Sequence, residues 1–268
     1  GRTEARNKPA SHTILPARSG AVLTLADGRT IVLDSADNGV IAREGGATVT
    51  LKDNLLDYDA DGAGLVTYNT LSTPPGRLFD LVLPDGSRVW LNTESSLRFP
   101  TRFSGKDRVV ELTGEAWFEI ARNEKMPFVV KVGEGREVQV LGTSFNINAY
   151  KNEGVLTTTL LHGSIQVSTV TDKGIRYARV LKPGEQSLQS FERNHTTIGV
   201  QAADTTQVMA WKNGIFNFEG SSIETVMRQL ERWYDIDVVF EKGVPDIKFA
   251  GKMDRDLTLQ QVLHILEI

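Results

Sequence analysis

Leu81-Val82-Leu83-Pro84-Asp85-Gly86-Ser87-Arg88-Val89-Trp90-Leu91-Asn92 decides the fold. Apolar residues take every second position on both sides of an Asp-Gly pair, the pattern of two half-buried strands joined by a tight turn. The same grammar stands earlier as Leu23-Thr24-Leu25-Ala26-Asp27-Gly28-Arg29-Thr30-Ile31-Val32-Leu33-Asp34. Asp-Gly supplies the positive-φ residues that a tight hairpin needs, and alternation buries one face of each strand. A duplicated hairpin is a scaffold, so function is to be sought in surfaces and partners.

Working outward, alternation with intervening Gly, Asp, Asn or Pro predicts strands at 21–26, 29–34, 47–52, 65–70, 77–83, 87–92, 108–113 and 115–121. It predicts more at 127–132, 136–141, 144–150, 155–161, 164–170, 177–182 and 185–190. The fold class is mainly β: an antiparallel all-β sandwich or stacked β-coil. The grammar changes after Asp204. Thr205 to Lys212 predicts a short helix and Gly214 to Phe218 a strand. Ser221 and Glu224 have capping-box spacing before Ile223, Val226, Met227, Leu230, Trp233 and Tyr234, which recur at helical period. Strands at Ile236 to Phe240 and Ile247 to Gly251 follow, then a helix near Leu257 with Thr258 and Gln261 as its capping box. The chain divides into a 1–20 linker, a 21–203 all-β domain and a 204–268 small α+β domain of order strand-helix-strand-strand-helix. Such a domain normally returns to its sheet after the second helix, so its sheet is expected to be one strand short, either because the natural chain continues or because another chain supplies the strand.

Hydrophobic residues at 40% and charged residues at 24% place the chain among ordinary globular proteins. A net charge of -4 argues against nucleic acid as a partner. The absence of cysteine excludes disulfides, thiolate metal sites and cysteine nucleophiles. No apolar run is long enough to span a bilayer. Gly1 to His12 is polar and lacks a hydrophobic signal core, so the protein is either cytoplasmic or begins after its membrane anchor, and a start without Met favours the second.

Asp57-Tyr58-Asp59-Ala60-Asp61-Gly62 matches the first half of a calcium loop, but Tyr68 stands where the closing glutamate belongs, so it reads as a solvated hairpin loop. His12, His162, His195 and His264 have no ligand spacing, and Gly133-Glu134-Gly135 fails as a dinucleotide loop. No cofactor or metal is expected. Glu111, Glu115 and Glu119 crowd a Thr-Gly-Glu turn and keep a hydrolase open as an alternative, although alternate hairpin charges normally face water. A carbohydrate-binding β-sandwich is a second alternative, which needs clustered exposed aromatics where this sequence scatters Trp90, Trp117, Trp211 and Trp233. Trp233-Tyr234, at a helix end, suggests one buried ring and one exposed interface anchor.

Leu83-Pro84-Asp85-Gly86-Ser87-Arg88-Val89-Trp90-Leu91-Asn92, with Ser95-Ser96-Leu97-Arg98-Phe99-Pro100 and Val110-Glu111-Leu112-Thr113-Gly114-Glu115-Ala116-Trp117-Phe118, resembles the FecR-type regulators of cell-surface signalling. So do Val138-Gln139-Val140-Leu141-Gly142-Thr143-Ser144-Phe145-Asn146, Leu181-Lys182-Pro183-Gly184-Glu185, Ala210-Trp211-Lys212-Asn213-Gly214 and Arg232-Trp233-Tyr234-Asp235. The C-terminal part is similar to the small domain at the N-terminus of secretins and TonB-dependent transporters. The resemblance implies the periplasmic portion of a transmembrane anti-sigma factor, not an enzyme, anchored in the inner membrane in the full-length protein. The implied partner is the signalling domain of a TonB-dependent outer-membrane transporter. The extracytoplasmic-function sigma factor is met only through a cytoplasmic segment that this chain lacks. Because the C-terminal sheet reads as incomplete, the partner-binding candidates are Ile247, Lys248, Phe249, Ala250 and Gly251 at an open edge, with Trp233 and Tyr234 beside them.

Overall fold

A computed structural model of the chain describes residues 13–60, 64–192 and 195–266. Both Asp-Gly hairpins form and close alike. Leu25 N donates to Arg29 O and Gly28 N to Leu25 O, both at 2.9 Å; Leu83 N donates to Ser87 O at 2.8 Å and Gly86 N to Leu83 O at 2.9 Å. Only the glycines take positive φ, Gly28 at 86° and Gly86 at 80°. Each loop is therefore a type I turn with a G1 bulge, in place of a two-residue turn with two positive-φ residues. The aspartate serves by its side chain instead: Asp27 accepts from Arg29 N at 2.9 Å and Asp85 from Ser87 N at 3.0 Å.

The all-β part is a chain coiled into two facing sheets. The first runs Thr30–Val32, Val22–Thr24, Tyr68–Thr73, Ser95–Pro100, the first half of Arg108–Glu119, Phe128–Val132, Arg136–Val140, Ile165–Val170 and Arg176–Leu181. The second runs Gly39–Glu44, Ala47–Lys52, Leu55–Ala60, Arg77–Val82, Arg88–Leu91, the second half of Arg108–Glu119, Ser144–Ala149, Val155–His162, Glu185–Ser190 and Ile198–Ala202. Most pairings are antiparallel; Arg108–Glu119 with Phe128–Val132 and Leu55–Ala60 with Arg77–Val82 are parallel, as coiling requires. Between the sheets lie Leu23, Leu71, Phe99, Phe118, Phe128 and Phe145. Phe118 stacks on Phe145 at 4.9 Å.

Arg108–Glu119 replaces the two strands expected at 108–113 and 115–121. Gly114, at φ 82°, bends one continuous strand from the first sheet into the second. A Cβ there would stand 2.7 Å from Glu94 O, so the crossing requires glycine. Strands also form at Gly39–Glu44, Leu55–Ala60, Ser95–Pro100 and Ile198–Ala202, where none was expected, and the strand expected at 65–70 is Tyr68–Thr73. Asp57 and Asp59 belong to Leu55–Ala60 and face solvent rather than a loop; Asp61 and Gly62 of the calcium-like run lie outside the described residues.

The second core gathers Phe216, Phe218, Val226, Leu230, Trp233, Tyr234 and Val262. Its helices are α1 (Thr205–Met209), α2 (Ile223–Tyr234) and α3 (Leu259–Leu266). Ser222, not Ser221, caps α2, accepting from Thr225 N at 3.4 Å. Ser221 is drawn into a short ladder with Phe249. The α3 capping box forms as spaced, Thr258 N to Gln261 Oε1 at 2.8 Å and Gln261 N to Thr258 Oγ1 at 3.3 Å. Ile236 to Phe240 is not a strand. Its alternate residues Ile236, Val238 and Phe240 pack on the second core while Val239 is 81% exposed, but no described strand lies beside it to complete a ladder.

Residues 13–20 are no linker. Arg18–Ser19 pairs with Arg77–Leu78, Leu259 N donates to Ile14 O at 3.0 Å, and Ile14 and Ala17 pack on the second core. This strap joins the N-terminus of the described chain to α3.

Candidate functional site

The outer face of the second sheet holds a cluster of buried polar side chains. Ala116, Phe118, Phe145 and Ile147 point into the core, so period two sends Glu115, Trp117, Asn146 and Asn148 outward. Asn146 stands opposite Thr159 and Asn148 opposite Thr157, which extends the row across the next strand. This face is covered by the C-terminal unit. Trp211 Nε1 donates to Asn146 Oδ1 at 3.1 Å, and Lys212 sits 4.1 Å from the centroid of the Trp90 ring.

Glu115 is buried, with each carboxylate oxygen held by an amide: Asn92 Nδ2 at 2.8 Å and Asn146 Nδ2 at 2.9 Å. Burial pushes its carboxyl above the usual range, against the pull of those amides and of Arg232 and Arg255. From α2, Arg232 and Arg228 both reach Glu153, at 2.7 and 2.8 Å, and Arg232 stacks on the Tyr150 ring at 4.0 Å. Gly76 N donates to Arg232 O at 2.8 Å, a backbone tie between the units. Arg255 lies between the Trp233 and Phe216 rings, at 4.3 and 4.8 Å, and burial lowers its guanidinium to about 10. Around these groups is a cavity of about 310 Å³.

Glu111, Glu115 and Glu119 do not converge. They sit four residues apart along one strand, roughly 13 Å per step at strand rise, and Glu111 pairs with Arg98 while Glu119 pairs with Lys212. The aromatic cluster that a carbohydrate-binding face needs is not on the surface either: Trp117, Trp211 and Trp233 are buried, and Trp90 lies under Lys212.

Trp233 and Tyr234 are both core residues, 5% and 4% exposed, so neither is the projecting anchor the sequence suggests. Their polar tips find backbone carbonyls inside the unit, Trp233 Nε1 donating to Arg255 O at 2.9 Å and Tyr234 OH to Leu257 O at 2.7 Å, which permits full burial. Ile247 to Gly251 lies at the surface, but only Lys248–Phe249 of it is a strand, paired with Ser221–Ser222. Ile247 O and Gly251 O accept from Ile223 N and Phe218 N, both at 3.0 Å, so that side is occupied. Ile247 is 45% exposed, Lys248 and Ala250 are exposed, and Ala250 N has no hydrogen-bond partner among the described residues.

Asp80, opposite Trp90 at the margin of this face, gives the junction a pH response. Burial raises its carboxyl from 3.8 to about 6, partly offset by Arg88, Lys212 and the Trp90 indole. A raised folded-state value means that its contribution is complete below the unfolded value and is lost as pH rises through about 6. The unfolding free energy from urea titrations should therefore fall as pH rises from 3.8 to about 6, by about 1 kcal/mol after allowance for solvent screening. Asp80→Asn should flatten that slope, and an unchanged slope in the variant would assign it elsewhere.

Two crystal structures, each described as an anti-sigma factor from Parabacteroides distasonis ATCC 8503, share this architecture at 31% sequence identity, with TM-scores of 0.64 and 0.65. The matches cover 74% and 76% of this chain and 90% and 91% of those chains. No curated protein matches the chain. A coiled two-sheet module closed by a small α+β unit is thus the fold of a regulator. Residues 69–166 match the FecR protein model and 215–268 the model for FecR, C-terminal. The chain belongs to the FecR family of anti-sigma factors.

Proposed function

We propose that the chain is the periplasmic, signal-receiving portion of an inner-membrane anti-sigma factor, and that it senses a TonB-dependent outer-membrane transporter to control an extracytoplasmic-function sigma factor. Family membership supports the regulatory role. No helix of the described residues is long and apolar enough to cross a membrane. A receiver can shift its output only by the difference in its affinity for two states of its partner, so it needs a surface that the partner reads. The observation that carries the reading is the unpaired backbone donor of Ala250, in the exposed segment just after the Lys248–Phe249 strand and beside the second core. An extended segment of the transporter's periplasmic signalling domain adds to that edge through backbone hydrogen bonds, with Ile247 and Lys248 offering side-chain contacts.

Calorimetry with the purified signalling domain tests both levels. The parent chain should bind it, and Ala250→Pro, which removes the donor, should weaken binding about tenfold, on the order of one hydrogen bond. No binding by the parent would end the transporter reading. A folded proline variant that binds as tightly as the parent would keep that reading and move the contact to the all-β part.

A further inference from the structure

Among the described residues, Arg255 is a buried cation with no carboxylate within ion-pair distance. Its side chain is 5% exposed, yet of five N–H donors only Nη1 has an acceptor, Asn92 Oδ1 at the long distance of 3.5 Å, and Nε has none among the described residues. The flanking Trp233 and Phe216 rings favour a cation electrostatically but accept no in-plane hydrogen bond. Elsewhere on the cavity wall Glu153 holds Arg228 and Arg232, while the Glu115 carboxylate, held by two amides, faces Arg255 without a hydrogen bond to it. A buried guanidinium left this poorly satisfied is costly; Arg108, the other arginine with an unpartnered buried nitrogen, has Asp85 and two carbonyls to hold it, whereas Arg255 has only the long Asn92 contact. The planar fork of Arg255 matches a carboxylate.

The rest of the cavity defines what that carboxylate is attached to. Asn148, Thr157, Asn217 and Gln229 line it with neutral donors and acceptors, and Trp211 adds an aromatic wall. This set suits hydroxyl groups and offers no long apolar slot. Its volume, about 310 Å³, stands at the lower end of small-molecule sites, about 300–1,000 Å³. We propose that this cavity binds a small hydroxylated carboxylate, a sugar acid or hydroxy acid, with its carboxylate on Arg255 and its hydroxyls on the amide and threonine wall. The ligand touches the second sheet on one side and the C-terminal unit on the other. Occupancy therefore favours the docked arrangement of the two units by mass action, independently of any partner at the Ala250 edge.

Titration of the chain with D-glucuronate and D-gluconate, with D-glucose as the neutral control, tests this. Trp211 lines the cavity and Trp233 stacks on Arg255, so intrinsic emission reports binding and thermal melting gives a second readout. At least one of the two acids should saturate with a Kd below about 1 mM, with glucose at least tenfold weaker. Arg255→Met should abolish binding. Gln229→Trp, which keeps Arg255 and fills the cavity from α2, should abolish it as well, and it decides the matter if the methionine variant does not fold. No saturation by either acid up to about 10 mM, equal binding of glucose, or undiminished binding by either folded variant would overturn the site.

Discussion

Asp85→Ala should destabilise the protein by about 3–5 kcal/mol, while Asp27→Ala should leave the unfolding midpoint essentially where it is. The two aspartates occupy the same place in the same kind of turn, and each accepts from a backbone N–H two residues on. What differs is the cation. Asp27 pairs with Arg29, its own exposed neighbour, at 2.6 Å. Asp85 pairs at 2.6 Å with Arg108, whose side chain is 2% exposed. Arg108 Nη1 also donates to Ala121 O and Nε to Met126 O, both at 2.8 Å, and the guanidinium lies over Phe128. Removing the Asp85 carboxylate strands a charge that cannot reach water, and it releases the Ser87 hydroxyl that bonds Asp85 at 2.8 Å. Paired urea titrations of the two variants would measure the contrast. Equal losses would mean that turn geometry, not the buried arginine, sets the cost.

The same contrast marks how far the sequence can be read. Alternation and Asp-Gly locate the hairpins because both signals are local. Arg108 opens a strand in a charged stretch and carries no sign that its head will be buried under another hairpin. Gly114 misleads for a related reason: a left-handed residue between two alternating runs reads as a turn, whereas here it lets one strand change sheets. Asp57 and Asp59 read as loop residues because both point to water from a strand whose other face, Leu56 and Tyr58, is core. Ile236 to Phe240 is the reverse case. Its alternation describes its packing correctly, but a ladder needs a neighbour, and alternation cannot supply one.

The junction is harder to foresee than the fold. Period two states which side of a sheet a residue faces, not what covers that side. Glu115, Asn146, Asn148, Thr157 and Thr159 therefore read as solvated, and they are covered only because α1, α2 and the Arg255 segment dock on them. One local sign was available. Trp117 shares its outward parity with Glu115, and a tryptophan facing away from the core of a β-coil indicates that something lies on it. Lys212 and Trp211, in the segment that follows the last strand, are what lies there.

Glu115→Ala should cost about 3–5 kcal/mol, because it leaves the Asn92 and Asn146 amides without their acceptor and removes the carboxylate that faces Arg232 and Arg255. Glu115→Gln keeps the shape and one acceptor but turns an amide donor toward another donor, so about 1–3 kcal/mol is expected. Burial raises the Glu115 carboxyl, so its proton is held more tightly in the folded state. Its contribution is then full below the ordinary glutamate range and is lost as pH rises through the elevated folded value, a slope that the glutamine variant should not show. The alanine variant should also separate two signals that move together in the parent. Emission from Trp211 and Trp233 reports the junction, while far-UV circular dichroism is dominated by the two sheets. Because Glu115 joins the outer sheet face to the C-terminal unit, losing it should bring the fluorescence transition to lower urea while the sheet transition lags. Coincident transitions with a small shift would place the energy that holds the units together in the Ile14 strap and the Arg232–Glu153 pair instead.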